Sequence, residues 1–144
     1  MASSRERGRG GLRWVAAEQA ALRRVAMLVA GGAPAEELFA AVAAEAGRVL
    51  QAHRVWIARY EPDGAVRVLA EWAGTDAGVA RRVGTLVSSG GQNVSTLVYQ
   101  TGRAARIDDY SGASGPAAEV ARESGVRSAV GVPVSVGGRL WGVL

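Results

Sequence analysis

At His53 the apolar residues change their period, and this switch limits what the chain can fold into more than any other feature. Before it, Leu12, Val15, Gln19, Leu22, Ala26 and Val29 recur at intervals of three and four, and Leu38, Val42, Ala46, Val49 and Leu50 follow Pro34. Side chains so spaced share one side of an α-helix. After His53 the interval is two. Arg54 to Tyr60 reads as a strand, Glu61-Pro62-Asp63-Gly64 as a turn, and Ala65 to Trp72 as the antiparallel partner. A second hairpin closes the chain, with Ser128 to Val136 joined through Gly137-Gly138 to Arg139 to Leu144. Helices preceding and separating two tight hairpins make the class α+β, with a mainly antiparallel sheet.

The remaining elements follow from local punctuation. The first helix should end at Gly31-Gly32 and the second begin at Pro34, with Glu36 and Glu37 at the positive end of its dipole and Arg48 at the negative end. Thr75 to Gln92 reads as a loop. Asn93 caps a third helix that uses Val94, Leu97 and Val98 and closes at Gly102. Ala104 to Ile107 is a short strand, and Gly115 to Ser124 a short helix ended by Gly125. Pro133 cannot donate to a ladder, so its strand should bulge or leave that position unpaired. In the first hairpin Val66, Val68, Ala70 and Trp72 alternate with Arg67 and Glu71, which predicts one buried face and one wet one. Residues 1–11 lack apolar periodicity and are expected to be a disordered tail, leaving 12–144 as a single domain.

The three-four spacing from Leu12 to Val29 is also a short heptad. It serves either a helix that faces the core or one that pairs with its copy in a homodimer, and periodicity leaves both open.

Composition removes whole classes of chemistry. No cysteine is present, which excludes disulfides, thiol catalysis and thioether attachment of a chromophore, and a single histidine argues against a metal site. All 17 basic residues are arginine, four of them before Trp14, and the rest are scattered along the chain at intervals, so no direct nucleic-acid binding is expected. No apolar run approaches the roughly 20 residues of a membrane span, which points to the cytoplasm. No nucleophile with a base, carboxylate dyad or phosphate loop can be assembled, so no catalytic residue is expected.

Four strings carry a family resemblance: Arg59-Tyr60-Glu61-Pro62-Asp63-Gly64, Thr101 to Tyr110, Gly125 to Val134, and Gly138-Arg139-Leu140-Trp141-Gly142-Val143-Leu144. In these and in element order the chain resembles the GAF domains of bacterial sensor histidine kinases, especially actinobacterial ones. The resemblance implies a sheet with helices on both faces and a ligand pocket under the two middle helices. It implies sensing of a small molecule, with Trp72, Tyr99, Asp109, Tyr110, Arg127 and Ser128 on the elements that line that pocket. It argues against known cofactors of the family: bilin attachment needs a cysteine, haem-binding relatives place a histidine where Arg127 stands, and His53 lies outside the pocket. The cyclic-nucleotide signature needs a lysine, and the chain has none.

The bland alternatives are core packing for Trp72 and Tyr99, turn capping for Asp108 and Asp109, and a surface ion pair for Arg127. In the family a long C-terminal helix follows the last strand, so an end at Leu144 implies a domain cut short, a fragment of a larger sensor or the product of a truncated reading frame. Three functions compete: a ligand-binding input module, a ligand-free dimerisation and relay module, and the effector region of a transcription regulator.

Overall fold

The computed structural model describes residues 3–75 and 82–144, with side chains described from Gly10 onward. Helix α1 spans Ser3–Ala30. It therefore begins inside the segment expected to be disordered. Arginine and glutamate cost little in a helix and extending an existing helix avoids the nucleation cost, so polarity alone does not stop it, although Gly8, Gly10 and Gly11 each weaken this end by about 1 kcal/mol. At the other end Gly32 takes φ +69° and Ala33 N–H donates to Leu28 O, as the double glycine predicts. Helix α2, Ala35–Leu50, carries Glu36 and Glu37 in its first turn and Arg48 in its last.

The first hairpin is β1, Arg54–Tyr60, and β2, Val66–Ala73. Its ladder pairs Ile57 with Ala70 but Ala58 with Val68, so Leu69 is an extra residue on β2. This bulge corrects the expected alternation. Upstream of it Val66 packs with Ala58, Val87, Val98 and Val143, while downstream Ala70 packs with Ala43, Val55 and Ile57 on the opposite face. An inserted residue exchanges the two faces of everything beyond it.

A two-residue strand β3, Leu86–Val87, pairs with β2 inside the segment read as loop. It is too short for alternation to reveal. Part of that loop reading, 76–81, lies outside the described residues. Helix α3, Val94–Thr101, strand β4, Ala105–Ile107, a 3-10 turn at Tyr110–Gly112 and helix α4, Pro116–Glu123, come next. The single strand expected from Ser128 to Val136 is two, β5, Ala129–Gly131, and β6, Pro133–Val136. They break at Val132 because Pro133 lacks an N–H, and they join different sheets: β5 pairs with β4, and β6 with β7, Arg139–Val143.

The main sheet has the order β3-β2-β1-β7-β6, with antiparallel neighbours throughout. Helix α2 covers one face, through Phe39, Val42, Ala43 and Ala46 against Val55, Ile57, Ala70 and Trp72. Helices α3 and α4 cover the other, where Val98, Ala117 and Val120 meet Ala58, Val66 and Val143. The α+β class and the helices on both faces match expectation.

Helix α1 rests on α2 through buried Ala21 and through Arg24, whose guanidinium grips the Glu45 carboxylate at 2.8 and 2.6 Å. Its heptad seam does not face the core. Leu12, Val15, Leu22 and Val29 are 73%, 49%, 58% and 59% exposed.

Candidate functional site

The Leu69 bulge turns Glu71 inward, onto the sheet face covered by α3 and α4. Trp56 stands directly across the ladder from it, and Arg54 lies two positions from Trp56 on the same side of β1. The Glu71 side chain has no exposed surface and that of Arg54 only 10%, and the two form an ion pair. The Arg54 guanidinium sits 5.9 Å from the centre of the Trp56 indole. The other Glu71 oxygen accepts the Arg82 backbone N–H at 2.7 Å. Arg82 in turn reaches the Glu123 carboxylate and the Ser124 hydroxyl, each at 3.4 Å, at the end of α4. One carboxylate thus links β1, β2 and the approach to β3, with α4 beyond.

The Trp56 indole rests against the cluster of Tyr110, Ala113, Ala118 and Ala121. Its Nε1–H is buried without a hydrogen-bond partner among the described residues. An unpaired buried donor costs about 1–3 kcal/mol, and folds leave few of them. A donor of this kind beside a buried ion pair is where an oxygen acceptor on a ligand has most to gain.

Of the six residues expected at the pocket, Tyr110 alone is buried on this face, 2% exposed. Its hydroxyl accepts the Val94 N–H at 3.2 Å, and its own N–H donates to Arg127 O at 2.7 Å. Burial pushes its phenol above the ordinary tyrosine range, so it stays neutral. Trp72 lies on the opposite face, beneath α2. Tyr99 is 40% exposed and packs its ring 5.0 Å from that of Tyr60. Asp109 is exposed and caps the 3-10 turn by accepting from Ser111 N–H at 2.9 Å; bonds from Ser111 hold its carboxyl below the usual range. Arg127 and Ser128 are exposed on the segment before β5. Asp108 pairs with Arg106 rather than with Arg127. The six do not converge.

A separate groove opens on the α1–α2 side, lined by Val25, Val29, Leu38, Phe39, Val42, Ile57, Val134, Trp141 and Leu144. Its lining is wholly apolar, so it lacks the polar groups that orient a small molecule. None of the six expected residues borders it. Among the described residues no cluster of histidine, aspartate and glutamate could hold a metal ion, and no helix is long and apolar enough to cross a membrane.

This arrangement of helices about a five-stranded sheet has known counterparts. The family profile described as GAF domain matches residues 34–144. The chain belongs to the GAF domain family. Solved structures with a similar fold include the phycocyanobilin-bound GAF domain of a cyanobacterial phytochrome, with a TM-score of 0.67 and 23% identity over 87% of this chain and 76% of that one. The phycoerythrobilin-bound GAF domain of a cyanobacterial phytochrome has a TM-score of 0.67 and 21% identity over 87% of this chain and 77% of the other. The chromophore-binding domain of a bacteriophytochrome from R. palustris has a TM-score of 0.66 and 15% identity, over 91% of this chain and 51% of its own. At such identities the likeness is one of fold. A comparison with curated proteins found no match.

In this GAF domain the residues that sequence reasoning missed are Arg54, Trp56 and Glu71. Strict alternation assigns Glu71 to the wet face with Arg67, and only the bulge separates them. The turn gives no signal of it: a hairpin closed by Pro62-Asp63-Gly64 without a bulge sets Trp56 opposite Ala70 and Glu71 opposite Val55, on the other face.

Proposed function

We propose that this GAF domain is a non-catalytic, cytoplasmic sensory module, the input part of a two-component sensor histidine kinase, and that it binds a small molecule on the sheet face under α3 and α4. The observation that carries the reading is the buried, unpartnered Nε1–H of Trp56 beside the Arg54–Glu71 ion pair. A ligand oxygen placed there would relieve the unpaired donor, and its binding energy would be transmitted to α4 through Arg82. The histidine-kinase setting is supported by the strings Thr101 to Tyr110 and Gly138 to Leu144.

Two of the neighbouring structures are bilin-bound, but a chain without cysteine offers no thioether link, and Arg127 is exposed where haem-binding relatives place histidine. The ligand is therefore of another class, or held without a covalent bond. A thermal-shift screen across nucleotides, haem, bilins and small metabolites tests the reading. A ligand that raises Tm in the native protein and loses that effect in Trp56→Phe supports it; a folded protein that responds to none of them defeats it.

A specific observation favours a second role. The exposed seam of Leu12, Val15, Leu22 and Val29 on α1 suits pairing with a second copy, so the same module would relay a signal as a homodimer. Sedimentation equilibrium over a range of concentrations tests this.

A further inference from the structure

We infer that α1 pairs with the α1 of a second copy as a parallel, in-register two-stranded coil over Leu12 to Val29, oriented by Glu18 on each chain meeting the partner's Arg23. The inference rests on the reading that the module is a homodimer and adds the orientation, the register and the residues that set them.

The seam and the α2 contact use different sides of the helix. Buried Ala21, half-buried Val25 and Leu28, and Arg24 through its bond to Glu45 hold α1 against α2. Leu12, Val15 and Leu22 point elsewhere and are exposed, and Val29, which borders the apolar groove beside α2, is still 59% exposed, so a second helix can lie along the seam without displacing α2. In heptad terms Leu12, Gln19 and Ala26 occupy a, and Val15, Leu22 and Val29 occupy d. One heptad earlier the same positions are Arg5 and Gly8, so the apolar seam starts at Leu12.

Two features choose between orientations. In a parallel pair g meets the partner's following e, which sets Glu18 against the partner's Arg23 on both sides of the seam. In an antiparallel pair g meets g and e meets e, which offers Glu18 only Glu18, Gly11 or Val25, and Arg23 only Arg23 or alanine. Neither Glu18 nor Arg23 forms an ion pair among the described residues, so both charges are available to a partner. Gln19 points the same way. At an a position it meets the partner's Gln19 in the parallel register, where two amides bond each other, whereas antiparallel packing would set it against an apolar d residue.

The absence of native cysteine makes the test clean. In the full chain, Leu22→Cys should oxidise to an intermolecular disulfide, because parallel d positions bring like residues within bridging distance. Arg103→Cys, on the exposed turn after α3, controls for random collision. Glu18→Arg should weaken the dimer roughly tenfold by replacing two attractions with two repulsions, and Glu18→Arg with Arg23→Glu should restore it. All these sites are at or near the surface, and circular dichroism confirms that each variant folds. Crosslinking at Leu22→Cys together with charge-swap rescue supports the inference. A dimer that neither crosslinks at Leu22→Cys nor responds to the swap overturns the parallel register while leaving the homodimer intact. A monomer at every concentration overturns both.

Discussion

A Cβ added at Gly47 would fall 2.1 Å from Cε3 of the Trp72 indole. The glycine in the last turn of α2 is thus the recess into which the tryptophan on β2 fits, and it sets how closely helix and sheet approach. Gly47→Ala would gain helix propensity but force the ring to move, and the clash exceeds that gain. Net destabilisation of about 2 kcal/mol is expected in denaturant unfolding. Adding Trp72→Leu should make the double variant less unstable than the two single losses summed, since each relieves the other.

Asn93 joins three segments from a fully buried position. Its side-chain oxygen accepts Thr96 N–H at 2.9 Å, and its amide donates to Gly90 O at 2.9 Å and Ser114 O at 3.0 Å. Asn93→Ala loses the cap of α3, strands Ser114 O and leaves Gly90 O with only the Thr96 hydroxyl at 3.2 Å, at an expected cost of about 2–4 kcal/mol. Asn93→Asp should be no better, because a carboxylate would face both carbonyls. An Asp variant as stable as the native protein would refute this account.

Arg54 and Glu71 should show strong coupling. Arg54→Met leaves a fully buried carboxylate without its guanidinium, and about 3 kcal/mol of stability should go with it. Glu71→Leu should cost a similar amount. The double variant removes both charges and is expected to be more stable than either single one, which a double-mutant cycle in urea measures directly.

Acid should loosen α1 from α2. The hydrogen bonds from Arg24 hold the Glu45 carboxyl below its ordinary range, aided by the charges of Arg24 and Arg48. A depressed carboxylate contributes stability above its unfolded value and loses it as pH falls through the folded one. Stability should therefore decline as pH is lowered through the acid range, and Glu45→Gln should flatten part of that decline. Because Arg24 is 56% exposed, added salt should shrink the difference.

The ends of elements were readable wherever one residue type has a specific backbone role. Gly32 and Gly102 close helices in the left-handed conformation, Asn93 caps α3, and Gly137-Gly138 turns the last hairpin. Pro133 announced a disturbed strand, though not that its halves would join two different sheets. The candidate site fared worse. Trp72 was placed on the wrong face for a reason no local pattern carries, since Leu69 looks like any strand leucine until β1 pairs against it and proves one residue shorter.

The sequence alone therefore determined the α+β class, the two hairpins, the caps, and the exclusions that follow from missing cysteine and lysine. These depend on a residue's own conformational range or on which atoms the chain possesses. Tertiary structure decided which side each strand residue faces, that Glu71 is buried while Tyr99 is not, and that the α1 seam looks outward. Those outcomes depend on register and on what each element packs against, and both are set by residues distant in the chain, so one bulge could exchange the two faces of β2 and relocate the site.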